Sequence, residues 1–287
     1  MDYVNPTEVV AESVELARKK AGLSIMNMLL RGILAGAFLG FATSLAITVG
    51  TQGLPPIVGA ILFPVGFVML VLLGFELATG NFAILPMGLL GGSIRWSQLW
   101  RNWAWVYVGN LLGSVLYALF FYLAITNCRT NDGGLVAAQI KLIAQKKTLA
   151  YMAVGANGWI AALIKGILCN WMVTVGTVLA LASRSTIGKA VAMWLPILVF
   201  FALGFEHSIV NMYVIPSAMM FGAPITFGNW WVWNQIPVTI GNIFGGVLFT
   251  GVALYVAHGM QSAPALAIQP AKRTIEPLLE KQPGFVS

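Results

Sequence analysis

The 287-residue chain is 59% hydrophobic and 9% charged, with a mean hydropathy of +0.84. Soluble domains carry about a quarter charged residues, so that class is excluded and a polytopic membrane protein remains. The net charge of +7 is spread over flanks and loops instead of gathering in one block, which argues against a nucleic-acid surface and for a topology signal.

Residues 1–24 are polar and lack the apolar core of a cleavable signal. Within them Asn5-Pro6-Thr7-Glu8 reads as an N-cap, a proline at the first helical position and an acid in the first turn. This predicts an amphipathic, interfacial helix through Lys20 on the cytoplasmic side. Six apolar stretches follow, at about 25–50, 57–92, 103–126, 152–182, 190–222 and 234–258. A membrane span needs about 20 apolar residues, and lipid offers no partner to an unpaired backbone group, so each stretch is read as helical. The second and fifth are too long and too interrupted to be plain helices.

Between the third and fourth stretches a long loop carries Arg129, Lys141, Lys146 and Lys147. Arg18, Lys19, Lys20, Arg31, Arg95, Arg101, Arg184, Lys189, Lys272, Arg273 and Lys281 all fall on the opposite side. That asymmetry predicts both termini inside. The six spans form a channel domain over 25–258, and residues 259–287, with Pro264, Pro270, Pro277 and Pro283, read as a disordered cytoplasmic tail. Cys128 and Cys169 show no metal-ligand spacing and leave disulfide formation open.

The frame G-F-E-x4-N-x4-P occurs at Gly74–Pro86 and again, 130 positions later, at Gly204–Pro216. Arg31-Gly32-Ile33-Leu34 is echoed by Lys165-Gly166-Ile167-Leu168, and Asn102 with Asn110 by Asn234 with Asn242. Three echoes in register predict two halves, about 25–126 and 152–258, of three spans each. An odd number of crossings makes the second half enter from the other side, so the repeat is inverted, and such repeats place their substrate path where interrupted helices meet near the midplane.

Thr79-Gly80-Asn81 with Pro86, and Ser208, Asn211 and Pro216, are expected to make the two breaks. Irregular backbone at that depth is tolerated only inside protein or beside a water-accessible cavity, and a half-helix N-terminus there suits a small anion. Glu76 and Glu206 also fit a purely structural role as acceptors for the freed backbone, and Asn81, Asn170 and Asn211 one as interhelical glue. Lys165 reads equally as a snorkelling residue or an anion attractor. His207 stands apart, because its counterpart is Leu77 and the repeat does not require it; an ionisable group at that depth points to a pore.

With Gly204-Phe205-Glu206-His207-Ser208-Ile209-Val210-Asn211-Met212, Lys165-Gly166-Ile167-Leu168-Cys169-Asn170-Trp171-Met172-Val173 and Glu76-Leu77-Ala78-Thr79-Gly80-Asn81, the chain resembles the formate/nitrite transporter family of small-anion channels over about residues 5–258. The resemblance implies an aquaporin-like all-α fold with two interrupted helices, a homopentamer with one pore per protomer, and residence in the inner (plasma) membrane. It makes His207 the central pore histidine with Thr79 and Asn170 as polar neighbours. It assigns Phe63, Phe67, Leu77, Val173, Phe200 and Val210 to two apolar constrictions. Ala78 departs from the phenylalanine often found at its position.

A bare anion in an apolar constriction suffers a large desolvation penalty. The expected mechanism therefore has Arg31 and Lys165 concentrating a monovalent anion at the mouths and His207 donating a hydrogen bond or a proton, so that the neutral acid crosses. Formate is preferred on the resemblance, with nitrite, hydrosulfide, acetate and lactate as alternatives and the proton as the second partner; no cofactor or metal is called for. Gating is expected from the N-terminal helix or a loop after Thr79. A neutral-solute channel lacks its cue, since the lone Asn-Pro is Asn5-Pro6 and no Asn-Pro-Ala box occurs. An intramembrane enzyme would need a nucleophile beside a base, for which Ser208 next to His207 is thin support.

Overall fold

The computed structural model describes residues 2–259, so the tail expected at 259–287 lies, but for Gly259, outside the described residues. Helix α1 (Pro6–Ala21) starts where Asn5 Oδ1 accepts the Glu8 N–H at 3.0 Å, with Pro6 at the first helical position. It buries Val9, Val10, Val14 and Ala17 and packs on α5, so it sits as part of the core and not merely at the interface. Helix α2 (Ile25–Gly50) is followed by the short α3 (Pro56–Leu62), α4 (Pro64–Leu72) and α5 (Ala78–Leu90), then by the long α6 (Trp96–Ile125).

The expected long loop is largely helical. It holds α7 (Gly134–Lys147) and α8 (Leu149–Ala153), because Ala137, Ile140 and Ala144 at helical spacing bury one face against α11. Helices α9 (Ala156–Leu179), α10 (Thr186–Ala202) and α11 (Ser208–Met220) follow. The last helix, α12 (Phe227–Gly259), contains π-helical turns at Trp231–Gln235, Val247–Val252 and Tyr255–Gly259.

Helices α2, α6, α9 and α12 are long and apolar enough to cross a membrane, whereas the second and fifth apolar stretches are divided into shorter apolar helices. Helix α2 lies along α6, and α9 along α12. Both contacts depend on glycine: a Cβ on Gly32 would stand 3.1 Å from Gly109 Cα, and one on Gly166 3.3 Å from Gly241 Cα. Backbones that close bring dispersion contacts and interhelical hydrogen bonds into reach, which is what holds helices together where lipid is as apolar as the side chains.

The division of the two stretches falls earlier than expected. Residues 73–77 and 203–207 leave the helix, while Thr79, Gly80, Asn81 and Pro86 belong to α5, and Ser208, Asn211 and Pro216 to α11. The reason is backbone: Gly74 at φ +69° and Gly204 at φ +67° turn the chain through the left-handed region that only glycine enters cheaply. No loop therefore follows Thr79 to act as a gate.

Candidate functional site

Each turn delivers a carboxylate into the same hydrogen-bonded setting. Lys20 Nζ reaches Glu76 Oε1 at 2.8 Å, and Lys147 Nζ reaches Glu206 Oε2 at 2.8 Å. Asn81 Nδ2 donates to Glu76 Oε2 and to Asn102 Oδ1, both at 2.8 Å; Asn211 Nδ2 donates to Glu206 Oε2 and to Asn234 Oδ1, again at 2.8 Å. Asn110 Oδ1 accepts the Ala78 N–H at 2.9 Å while its amide donates to Gly32 O and Glu76 O. Asn242 does the same with the Ser208 N–H, at 2.9 Å, and with Gly166 O and Glu206 O. Two helix starts that would otherwise bury unpaired groups are thus satisfied by side chains. Lys20 and Lys147 are the partners that sequence reasoning missed; they stand 56 and 59 residues before their glutamates, outside the register of the repeat.

The two settings differ at the carboxylate, where the Tyr151 hydroxyl also donates to Glu206 Oε1 at 2.9 Å, and at the residue that follows it. Leu77 and His207 share a conformation, φ −115° and −111°, ψ 119° and 117°. The His207 side chain also caps α11: Val210 N–H donates to its Nδ1 at 3.2 Å, and its Nε2 lies 3.1 Å from Thr79 Oγ1. A neutral imidazole accepting at Nδ1 carries its proton on Nε2, so this hydrogen-bond pattern makes Nε2–H the donor and Thr79 the acceptor. His207 is 3% exposed, and its ring stacks on Phe200 at 5.7 Å between centroids; Phe200 in turn meets Phe63 edge-on at 5.7 Å.

Below this pair, on the α1 side, opens a cavity of about 400 Å³. Among the described residues Lys19, Lys20, Arg31 and Lys189 line it against one carboxylate, Glu76, and Phe67, Leu77, Gly80 and Thr177 are among its other walls. Four cations facing one anion give it a positive potential.

The structure brings His207, Thr79, Asn170, Phe63, Phe200 and Val210 together. Asn170 does not touch the histidine; its Nδ2 donates to Thr79 O at 3.1 Å and Asn242 O at 2.6 Å, and its Oδ1 takes no hydrogen bond from the described residues. Val173 is fully buried on the same helix, and Phe67 and Leu77 face the cavity. Glu206 and Asn211 are consumed by the Lys147, Tyr151 and Asn234 network. Lys165 is exposed, with Nζ 3.3 Å from the Tyr151 hydroxyl, and its carbonyl accepts the Glu206 N–H at 3.3 Å.

A helical membrane protein in which a basic vestibule meets aromatic and aliphatic side chains around a buried polar pair is built for membrane transport. A sequence model of the formate/nitrite transporter family matches residues 7–256. A probable formate transporter of Methanothermobacter thermautotrophicus is 35% identical over 269 residues, covering 89% of this chain and 97% of the relative. Among solved structures, an FNT family ion channel superimposes with a TM-score of 0.77 at 27% identity, covering 88% of this chain and 99% of that one. A pentameric formate channel with formate bound does so with a TM-score of 0.66 at 30% identity, covering 81% and 97%. The chain belongs to the formate/nitrite transporter family.

Proposed function

We propose that the chain is a pH-dependent channel or transporter for small monovalent anions of weak acids, formate foremost, with passage coupled to a proton at His207. Nitrite, hydrosulfide, acetate and lactate share the chemistry. The observation that carries the reading is the Thr79–His207 pair, 3.1 Å apart and buried behind aromatic rings at the joint of two interrupted helices. The matching hydrogen-bond sets around Glu76 and Glu206 support an inverted 3+3 repeat with the pair at its centre. Likeness to a pentameric formate channel supports a homopentamer, and the charge asymmetry supports an inner membrane placement with both termini inside.

In this mechanism the vestibule cations concentrate the anion and the neutral His207 offers Nε2–H as its hydrogen-bond donor in place of Thr79. Full proton transfer requires a second proton, which enters at Nδ1 by displacing the Val210 N–H. The cation then gives the Nε2 proton to the carboxylate, leaving a neutral ring with Nδ1–H, and the neutral acid crosses the constriction; uptake of a proton at Nε2 and loss of the Nδ1 proton to water restore the resting tautomer. Crossing as the neutral acid spares formate the desolvation penalty that slows a permanently charged anion.

Labelled formate uptake into proteoliposomes across a pH series tests this. His207→Ala is expected to flatten the pH profile and cut the acid-side rate by roughly 100-fold, within the range of general acid catalysis. An unchanged rate and profile would remove the proton role.

A further inference from the structure

Thr177 lies on α9 one turn beyond the constriction residue Val173, partly exposed to the vestibule at its inner end. Its hydroxyl donates to Val173 O at 3.1 Å, the bond a threonine makes to the carbonyl one turn back in a helix. With its proton so committed, the oxygen presents only lone pairs to the cavity. Across from it stands Gly80, the residue after Thr79, and a Cβ there would meet Thr177 Oγ1 at 2.9 Å. The absent side chain keeps that oxygen uncovered.

We propose that Thr177 is a specificity-determining residue that selects a protonated acid over its anion where the vestibule narrows toward Phe67 and Leu77. The inference rests on the transport reading above. An acid O–H can donate to Thr177 Oγ1, whereas a carboxylate, an acceptor only, gains nothing from it without pulling the hydroxyl from Val173 O. Among the described residues the charged groups facing this cavity are Lys19 and Lys20 from α1, Arg31 from α2, Lys189 from α10 and Glu76 from the turn before α5. The cations concentrate the anion, and Thr177 favours the neutral acid formed at His207 as it passes this end of the constriction.

The test compares formate, anion of a weak acid, with nitrate, which stays unprotonated, in proteoliposomes holding the full chain. Thr177→Val removes the hydroxyl at nearly constant volume, and Thr177→Ser restores it and guards against loss by misfolding. The expected result is a formate-to-nitrate uptake ratio lowered about threefold to tenfold in Thr177→Val, the worth of one neutral hydrogen bond, and a ratio near wild type in Thr177→Ser. An unchanged ratio in Thr177→Val, or an equal fall for both anions, overturns the proposal while leaving formate transport by the wild-type chain intact. Failure of the wild-type chain to take up formate overturns the transport reading and this proposal together.

Discussion

A helix that begins inside a membrane exposes N–H groups that water cannot satisfy, and at α11 the imidazole of His207 takes one of them. The same ring nitrogen that caps the helix is the one a second proton must occupy, so protonation and local structure are coupled at one atom. Thr79 completes the arrangement by accepting from Nε2. Thr79→Val should keep the fold, since the near-isostere preserves packing in α5, and lower initial formate uptake about threefold to tenfold by removing the contact that holds the imidazole in its donor orientation. Measured initial rates at matched protein levels check this. His207 was legible in the sequence because it broke a repeat, whereas the tautomer was not, since it depends on where the Val210 N–H points.

At the scale of elements, the two turns at Gly74 and Gly204 set everything that follows them. Both glycines have positive φ, and a Cβ added at either would meet nothing within 4 Å. Any loss from Gly74→Ala or Gly204→Ala is therefore backbone strain alone. Each is expected to cost about 1–2 kcal/mol, read as a lower midpoint of thermal unfolding in detergent. A midpoint equal to wild type in both would show that the turns relax.

Proline and polar residues suggested breaks within 79–86 and 208–216, but a proline is tolerated inside a helix whose neighbours satisfy the freed carbonyl, and polar residues fit a first helical turn. The positive-φ glycines were the better signal. Helix α7 escaped notice because Arg129, Lys141, Lys146 and Lys147 marked its stretch as polar, although its alanines and Ile140 bury a face.

At the scale of the molecule, the N-terminal segment ties the first half of the chain to the second. Val4 N–H donates to Ala182 O at 3.0 Å, and the Asp2 carboxylate accepts from the Ser183 hydroxyl at 2.9 Å and from the Arg184 and Ser185 N–H groups at 2.7 and 2.6 Å. Arg184 bridges to Glu8 at 2.8 Å and also to Glu12. The Ser183 hydroxyl, then the backbone of Ser185, holds the Asp2 carboxyl below its ordinary value. A lowered pKa makes this anchorage complete above the ordinary carboxylate range and weaker as pH falls through the lowered value. Protection factors for hydrogen exchange over α1, which correct for the intrinsic pH dependence of exchange, should therefore be high at neutral pH and fall in acid, and Asp2→Asn should weaken that fall, leaving the share carried by Glu8 and Glu12 with Arg184.

The apolar helices were readable from hydropathy, and the paired polar frames at Gly74–Pro86 and Gly204–Pro216 from spacing. The clamp was not, because it joins residues about 180 positions apart through one loop and one terminus.

The near-identity of the two hydrogen-bond sets gives the protein an internal control that few others provide. A substitution at Glu76, Asn81, Asn102 or Asn110 has a twin at Glu206, Asn211, Asn234 or Asn242 with a lysine and asparagines in matching places, the Tyr151 hydroxyl being the donor added at Glu206. Whatever the twins share reports on the scaffold. Whatever separates them is a measurement of what His207 and Tyr151 add to the second set, made without altering either.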